Sequence, residues 1–109
     1  MKMKDKVVKL AVEMSEMIYW IAGLEKDLQQ NFAPNHDGLL TKEQVISLSK
    51  FFNQQICSTH KYEILFTEEH DAIQILRNVC DFKYTALDGA RLLKEMREDF
   101  IEARDLINV

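Results

Sequence analysis

The chain has 109 residues, of which 47% are hydrophobic and 29% charged, with three Gly, one Pro and a formal net charge of −4. Such a length suits one domain and excludes two separate cores, and the composition is far from that of a disordered chain, so residues 1–109 are expected to form a single helical domain. Two cysteines, Cys57 and Cys80, are too few for a disulfide scaffold. No apolar run reaches the roughly 18–20 residues that cross a bilayer, and Met1-Lys2-Met3-Lys4-Asp5-Lys6 leads into a charged helical pattern instead of a signal-peptide core. A cytoplasmic location without a membrane partner is the expectation. The acidic balance also argues against direct nucleic-acid binding. Charge is uneven: residues 1–10 hold four Lys and one Asp, net +3, so the rest of the chain carries −7 to reach the total of −4.

From Met3 to Leu28 apolar side chains recur at Met3, Val7, Leu10, Met14, Met17, Ile21, Leu24 and Leu28, an unbroken 4-3-4-3-4-3-4 heptad stripe. The spacing predicts one long N-terminal helix that stops near Asn31. Around its middle, Met17-Ile18-Tyr19-Trp20-Ile21-Ala22 has no charged residue, so apolar groups cover most of the circumference. Either neighbouring helices of the same chain wrap such a helix or a second chain covers what they leave open. Pro34 and Asp37-Gly38 mark a loop. Thr41 with Gln44 three residues on is a capping box, flanked by Leu40 and Val45 as a hydrophobic staple, and starts a second helix through about Cys57.

Between Ser58 and Thr67, Tyr62, Ile64 and Phe66 alternate with Glu63 and Leu65, which predicts an extended connector covering the core with alternate side chains. Thr67 is the expected cap of a third helix, with Glu68, Glu69 and Asp71 near its positive end and Ala72, Ile73, Leu76, Val79 and Cys80 buried. That helix ends in Asp81–Tyr84. Thr85, with Asp88 three residues later, caps a fourth, whose apolar positions Leu93, Met96, Phe100, Ala103 and Ile107 are interleaved with i,i+4 charge pairs such as Arg91–Glu95. The fold class is therefore all-α: a four-helix antiparallel bundle, or an irregular four-helix array, with a long N-terminal helix.

Residues Ala33–Gln44 resemble an EF-hand loop, through Asn35, Asp37, Gly38, Leu40 and Thr41. Ala33 stands where the family has its first Asp and Gln44 where it has the bidentate Glu, so most of the cation-holding charge is missing, and the capping box accounts for the same letters. Cys57, His60, His70 and Cys80 count as a zinc set, but His70 and Cys80 are ten residues apart in one helix, roughly 15 Å. Glu13-x-x-Glu16 and Glu68-x-x-Asp71 resemble the paired carboxylates of all-α nucleoside-triphosphate pyrophosphatases, a likeness that implies Mg²⁺ held against a substrate's phosphates. The sequence departs from that family in its long intervening stretch and in lacking a basic residue near either pair. No catalytic residue, cofactor or metal ligand is assigned.

The leading expectation is a small, acidic, non-catalytic binding protein, a stoichiometric partner or inhibitor of another protein. In size, charge and lack of catalytic motifs it is similar to phage anti-CRISPR proteins and toxin-immunity proteins, with no shared residues. The aromatics Tyr19 and Trp20, with Glu95, Glu98, Asp99 and Glu102, are the expected partner-binding residues, the acids facing a basic protein surface. A Mg²⁺-dependent pyrophosphatase is the first alternative. The second is a self-associating module, a homodimer through the heptads of the first helix in which Met17→Glu separates the subunits.

Overall fold

The computed structural model describes residues 3–34, 37–57 and 61–107. Within them the chain forms four helices, α1 (Met3–Asn31), α2 (Lys42–Cys57), α3 (Phe66–Cys80) and α4 (Ala86–Ile107), and no strand. It is an all-α four-helix array with up-down-up-down connectivity. α4 runs back along α1, so that Gly89 near its start faces Leu28 and Arg97 grips Glu25. α2 also descends beside α1, from Gln44 at the level of Asn31 and Ala33 to Gln55 at the level of Trp20. α3 climbs again from the level of Glu13 to Leu48, whose carbonyl oxygen accepts from the Cys80 thiol at 3.8 Å.

The helix interfaces are unequal. Packing is extensive for α1 with α4 and smaller for α2 with α3 and α3 with α4, while α2 leans on α3 and leaves one side of α1 open. The molecule measures 53 × 25 × 18 Å with a radius of gyration of 15.5 Å, above the roughly 13 Å of a compact chain this long. α1 is the cause. The connector meets α1 at Lys9 and Glu13, and its Glu63 and Ile64 border Met3, Lys6 and Val7, so the first turns of α1 are flanked on part of their circumference only.

Solvent access along the heptad stripe follows from this. Met14, Met17, Ile21, Leu24 and Leu28 are buried in one cluster with Leu76, Val79, Ala90, Leu93 and Phe100, whereas Met3 and Val7 are exposed and Leu10 is half-buried. The apolar run Met17–Ala22 is not wrapped on all sides: Tyr19 and Ala22 are exposed, and Ile18 and Trp20 are half-buried. α2 buries only Leu48 fully, with Phe51 half-buried against Phe32 at 5.4 Å between ring centres. Ile46 and Ile56 of the same helix face solvent.

Two expected caps form. The Thr41 hydroxyl oxygen accepts from the Gln44 amide at 3.1 Å while the Gln44 side-chain oxygen accepts from the Thr41 amide at 2.9 Å. The Thr85 hydroxyl oxygen accepts from the Asp88 amide at 3.1 Å. Thr67 does not cap α3. The helix begins two residues earlier, at Phe66, Leu65 occupies the cap position without a side-chain bond, and α1 supplies a carboxylate to the amides leading into it: Glu13 accepts from those of Ile64 and Leu65 at 2.9 and 3.0 Å. In consequence the connector buries Tyr62 and Leu65, three apart, and exposes Ile64 and Phe66, because the chain is already turning into the helix.

α3 ends in a Schellman motif. Lys83 donates to the Asn78 carbonyl and Phe82 to that of Val79, and Phe82 holds the left-handed position at φ 61, where glycine is the usual residue. Gly89 is fixed by closeness: a Cβ there would stand 2.6 Å from Val79 Cγ2.

Candidate functional site

The open side of α1 carries the site. On the helix face turned from the core, Val8, Val12, Ser15, Tyr19 and Ala22 recur at 4-3-4-3 and all are exposed, Val8 at 56%, Val12 at 51% and Tyr19 at 85%. This is a second heptad stripe, roughly opposite the buried one. It is legible in the sequence, yet the stronger stripe from Met3 to Leu28 conceals it. Small side chains at Ser15, Ala22 and Gly23 keep the face low, and a Cβ at Gly23 would meet nothing within 4 Å.

Beside this stripe, where α2 stands off from α1, lies an open groove of about 750 Å³. Its walls include Tyr19, Trp20, Gly23 and Tyr62, with Glu16 and Asp27 from α1 and Lys61 from the connector. Trp20 spans the gap, its indole N–H donating to Gln55 Oε1 at 2.9 Å. An aromatic groove with two carboxylates suits an apolar segment carrying basic side chains.

Tyr19 and Trp20 are thus brought together at one site. Glu95, Glu98, Asp99 and Glu102 are exposed on α4 and none of them lines that groove. They form a separate acidic face, on which Arg91 reaches Glu95 at 3.9 Å and Asp88 at 3.8 Å.

The four carboxylates of the pyrophosphatase-like reading have different surroundings. Glu13 is buried and occupied as the cap of α3, Glu16 is exposed in the groove, Glu68 is half-buried and Asp71 is exposed. The buried carboxylate of α3 is instead Glu69, which is 2% exposed. It joins Glu16 and Glu13 around Tyr62, and burial first, then these three charges, push the Tyr62 hydroxyl from 10.0 up to about 12. Among the described residues no group of three or more His, Cys, Asp or Glu side chains is placed to hold a metal ion.

In the EF-hand-like segment, Asn35 and His36 lie outside the described residues. Gln44, at its last position, turns inward and donates to the carbonyls of Asn31 and Ala33 at 3.2 and 3.3 Å, tying the loop to the end of α1. Of the cysteine and histidine set, His60 lies outside the described residues. Cys57 is exposed at the end of α2, while Cys80 sits by Leu48, nine residues or about 13 Å back along that helix. Burial, with a smaller contribution from Asp81, pushes the Cys80 thiol from 9.0 up to about 11.

One buried ion pair was not legible. Glu25, on the margin of the buried stripe, accepts from Arg97 Nε at 2.6 Å and Nη2 at 3.2 Å, a bidentate clasp between α1 and α4 that raises the guanidinium pKa above its ordinary value. Periodicity suggests solvent for both residues. Their pairing is a property of helix register.

No helix among the described residues is long and apolar enough to cross a membrane. Comparison with known proteins returns no match: no family model fits the chain, and no curated protein or solved structure is significantly similar to it.

Proposed function

We propose that the chain is a non-catalytic binding protein that acts stoichiometrically by occupying a surface on another protein, with the outer face of α1 and the adjoining groove as its contact surface. The supporting observation is the uncovered apolar stripe Val8, Val12 and Tyr19 on a helix whose other face is already committed to the core. Apolar side chains clustered on one exposed face, with aromatics beside them, mark protein contacts. The acidic face of α4, with Glu95, Glu98, Asp99 and Glu102, adds long-range attraction toward a basic partner and speeds encounter.

Parallel affinity capture from cell extract with the native chain, Tyr19→Asp, Gly23→Arg and a variant with the four α4 acids changed to Lys tests this. A partner held by the native chain and lost by Tyr19→Asp and Gly23→Arg, both still folded, is the expected result. Charge reversal on α4 weakens capture and reduces its sensitivity to salt. Equal capture by all four proteins contradicts the assignment of the surface, and Mg²⁺-dependent release of pyrophosphate from nucleotides that is lost in Glu16→Gln contradicts the non-catalytic reading.

A further inference from the structure

The heptads buried inside the molecule cannot pair subunits, since Met17 is fully enclosed by its own chain. The opposite stripe is available, and we infer that two copies of the chain associate antiparallel through the outer faces of α1, about a two-fold axis level with residues 13 and 14. This rests on reading that face as a contact surface, and it names a second copy as an occupant.

Two observations select this occupant. The first is register. In an antiparallel pair of heptad stripes the layers match when Val8 of one copy lies opposite Tyr19 of the other and Val12 opposite Ser15, so a valine meets the aromatic and a small residue lets the helices approach.

The second is charge complementarity on the flanks. In an antiparallel pair, residues on the same flank of the two helices become neighbours. The same register sets Lys9 beside Glu16 of the other copy, twice over by symmetry, and on the opposite flank Ala11 beside Ile18. Glu16 is exposed, and Lys9, which already reaches Glu63 within its own chain, is only half-buried.

A single helix face of this length falls short of the roughly 800 Å² per partner that a stable dimer buries. A micromolar, salt-weakened dimer follows. Ile107 at the end of α4 borders the stripe, and the acidic residues of α4 stay outward on both copies.

The experiment is sedimentation equilibrium of the full chain over about a hundredfold concentration range spanning the micromolar regime. Mass rising from monomer to dimer is expected, with Val12→Asp monomeric throughout and unchanged in helix content. Lys9→Glu weakens association at least about tenfold and Lys9→Glu with Glu16→Lys together restores it, since the reciprocal pair is re-formed with its signs exchanged. A native chain that stays monomeric overturns the inference, as does a dimer indifferent to Val12→Asp or a double variant no better than Lys9→Glu alone. A monomer whose Tyr19→Asp variant still loses a captured partner removes the self-association and leaves the binding function standing.

Discussion

Removing the Glu13 carboxylate is expected to cost far more stability than any surface acid. Glu13 is only 6% exposed and accepts from two backbone amides at 2.9 and 3.0 Å where α3 begins. Hydrogen bonds to a charged acceptor contribute about 1.5–3 kcal/mol each, and a buried donor left without a partner loses most of that. In Glu13→Ala the Leu65 amide remains buried while the more exposed Ile64 amide regains water, so a loss of about 3 kcal/mol is expected for the pair. At roughly 4–8 °C per kcal/mol for a domain of this size, that lowers Tm by about 15 °C. Glu13→Gln keeps an acceptor oxygen but not the charge that favours the helix N-terminus, and should lose about 1 kcal/mol. Urea unfolding gives the free energies, and amide hydrogen exchange should quicken first at Ile64 and Leu65. Glu16→Ala, one turn away and exposed, serves as the control and should stay within about 0.5 kcal/mol. A Glu13→Ala protein as stable as that control, with unchanged exchange at the two amides, would refute the cross-helix cap.

Phe82→Gly should stabilise the protein by about 1 kcal/mol, because glycine adopts the left-handed cap at φ 61 without strain and the phenyl ring is 66% exposed; a loss in thermal unfolding contradicts this. Arg97→Met alone, which leaves Glu25 buried and unpaired, should destabilise by about 3–5 kcal/mol, whereas Arg97→Met with Glu25→Leu should recover most of that, and additive losses in a double-mutant cycle would show the pair to be uncoupled. Tyr62 holds its proton to about pH 12 when folded, against 10.0 ordinarily, so the unfolded chain deprotonates first. The associated stability is complete below pH 10 and is lost as pH rises toward 12. Tyr62→Phe should flatten that alkaline decline, and phenolate absorbance in which every tyrosine of the folded chain ionises near 10 contradicts the assignment.

The helices and two of their caps were legible because each rests on local chemistry. Heptad spacing sets the burial of α1 from Met14 to Leu28, and Thr41 and Thr85 bond to amides three residues away in their own turns. Thr67 misled because the start of α3 is satisfied from 52 residues away by Glu13, a partner that only the packed structure supplies. The burial of Glu25 and Glu69 was not legible for a similar reason, since a helical pattern gives their position on α1 or α3 but not the neighbour opposite. At the candidate site Tyr19 and Trp20 were legible as excess aromatic residues. That the face beside them would stay uncovered was not, because it depends on α2 leaning toward α3 instead of α1.

A contact surface on the outer face of α1 requires that Val12 and Tyr19 contribute nothing to the interior of a single chain. Urea unfolding of the Val12→Asp, Tyr19→Asp double variant, at concentrations dilute enough to keep the native chain monomeric, tests this most directly. Two apolar side chains that already face water should be replaced at a cost within about 1 kcal/mol of the native free energy, with unchanged helix content. A loss of about 3 kcal/mol or more would mean that these residues pack inside the molecule and that the outer face of α1 is not a surface at all.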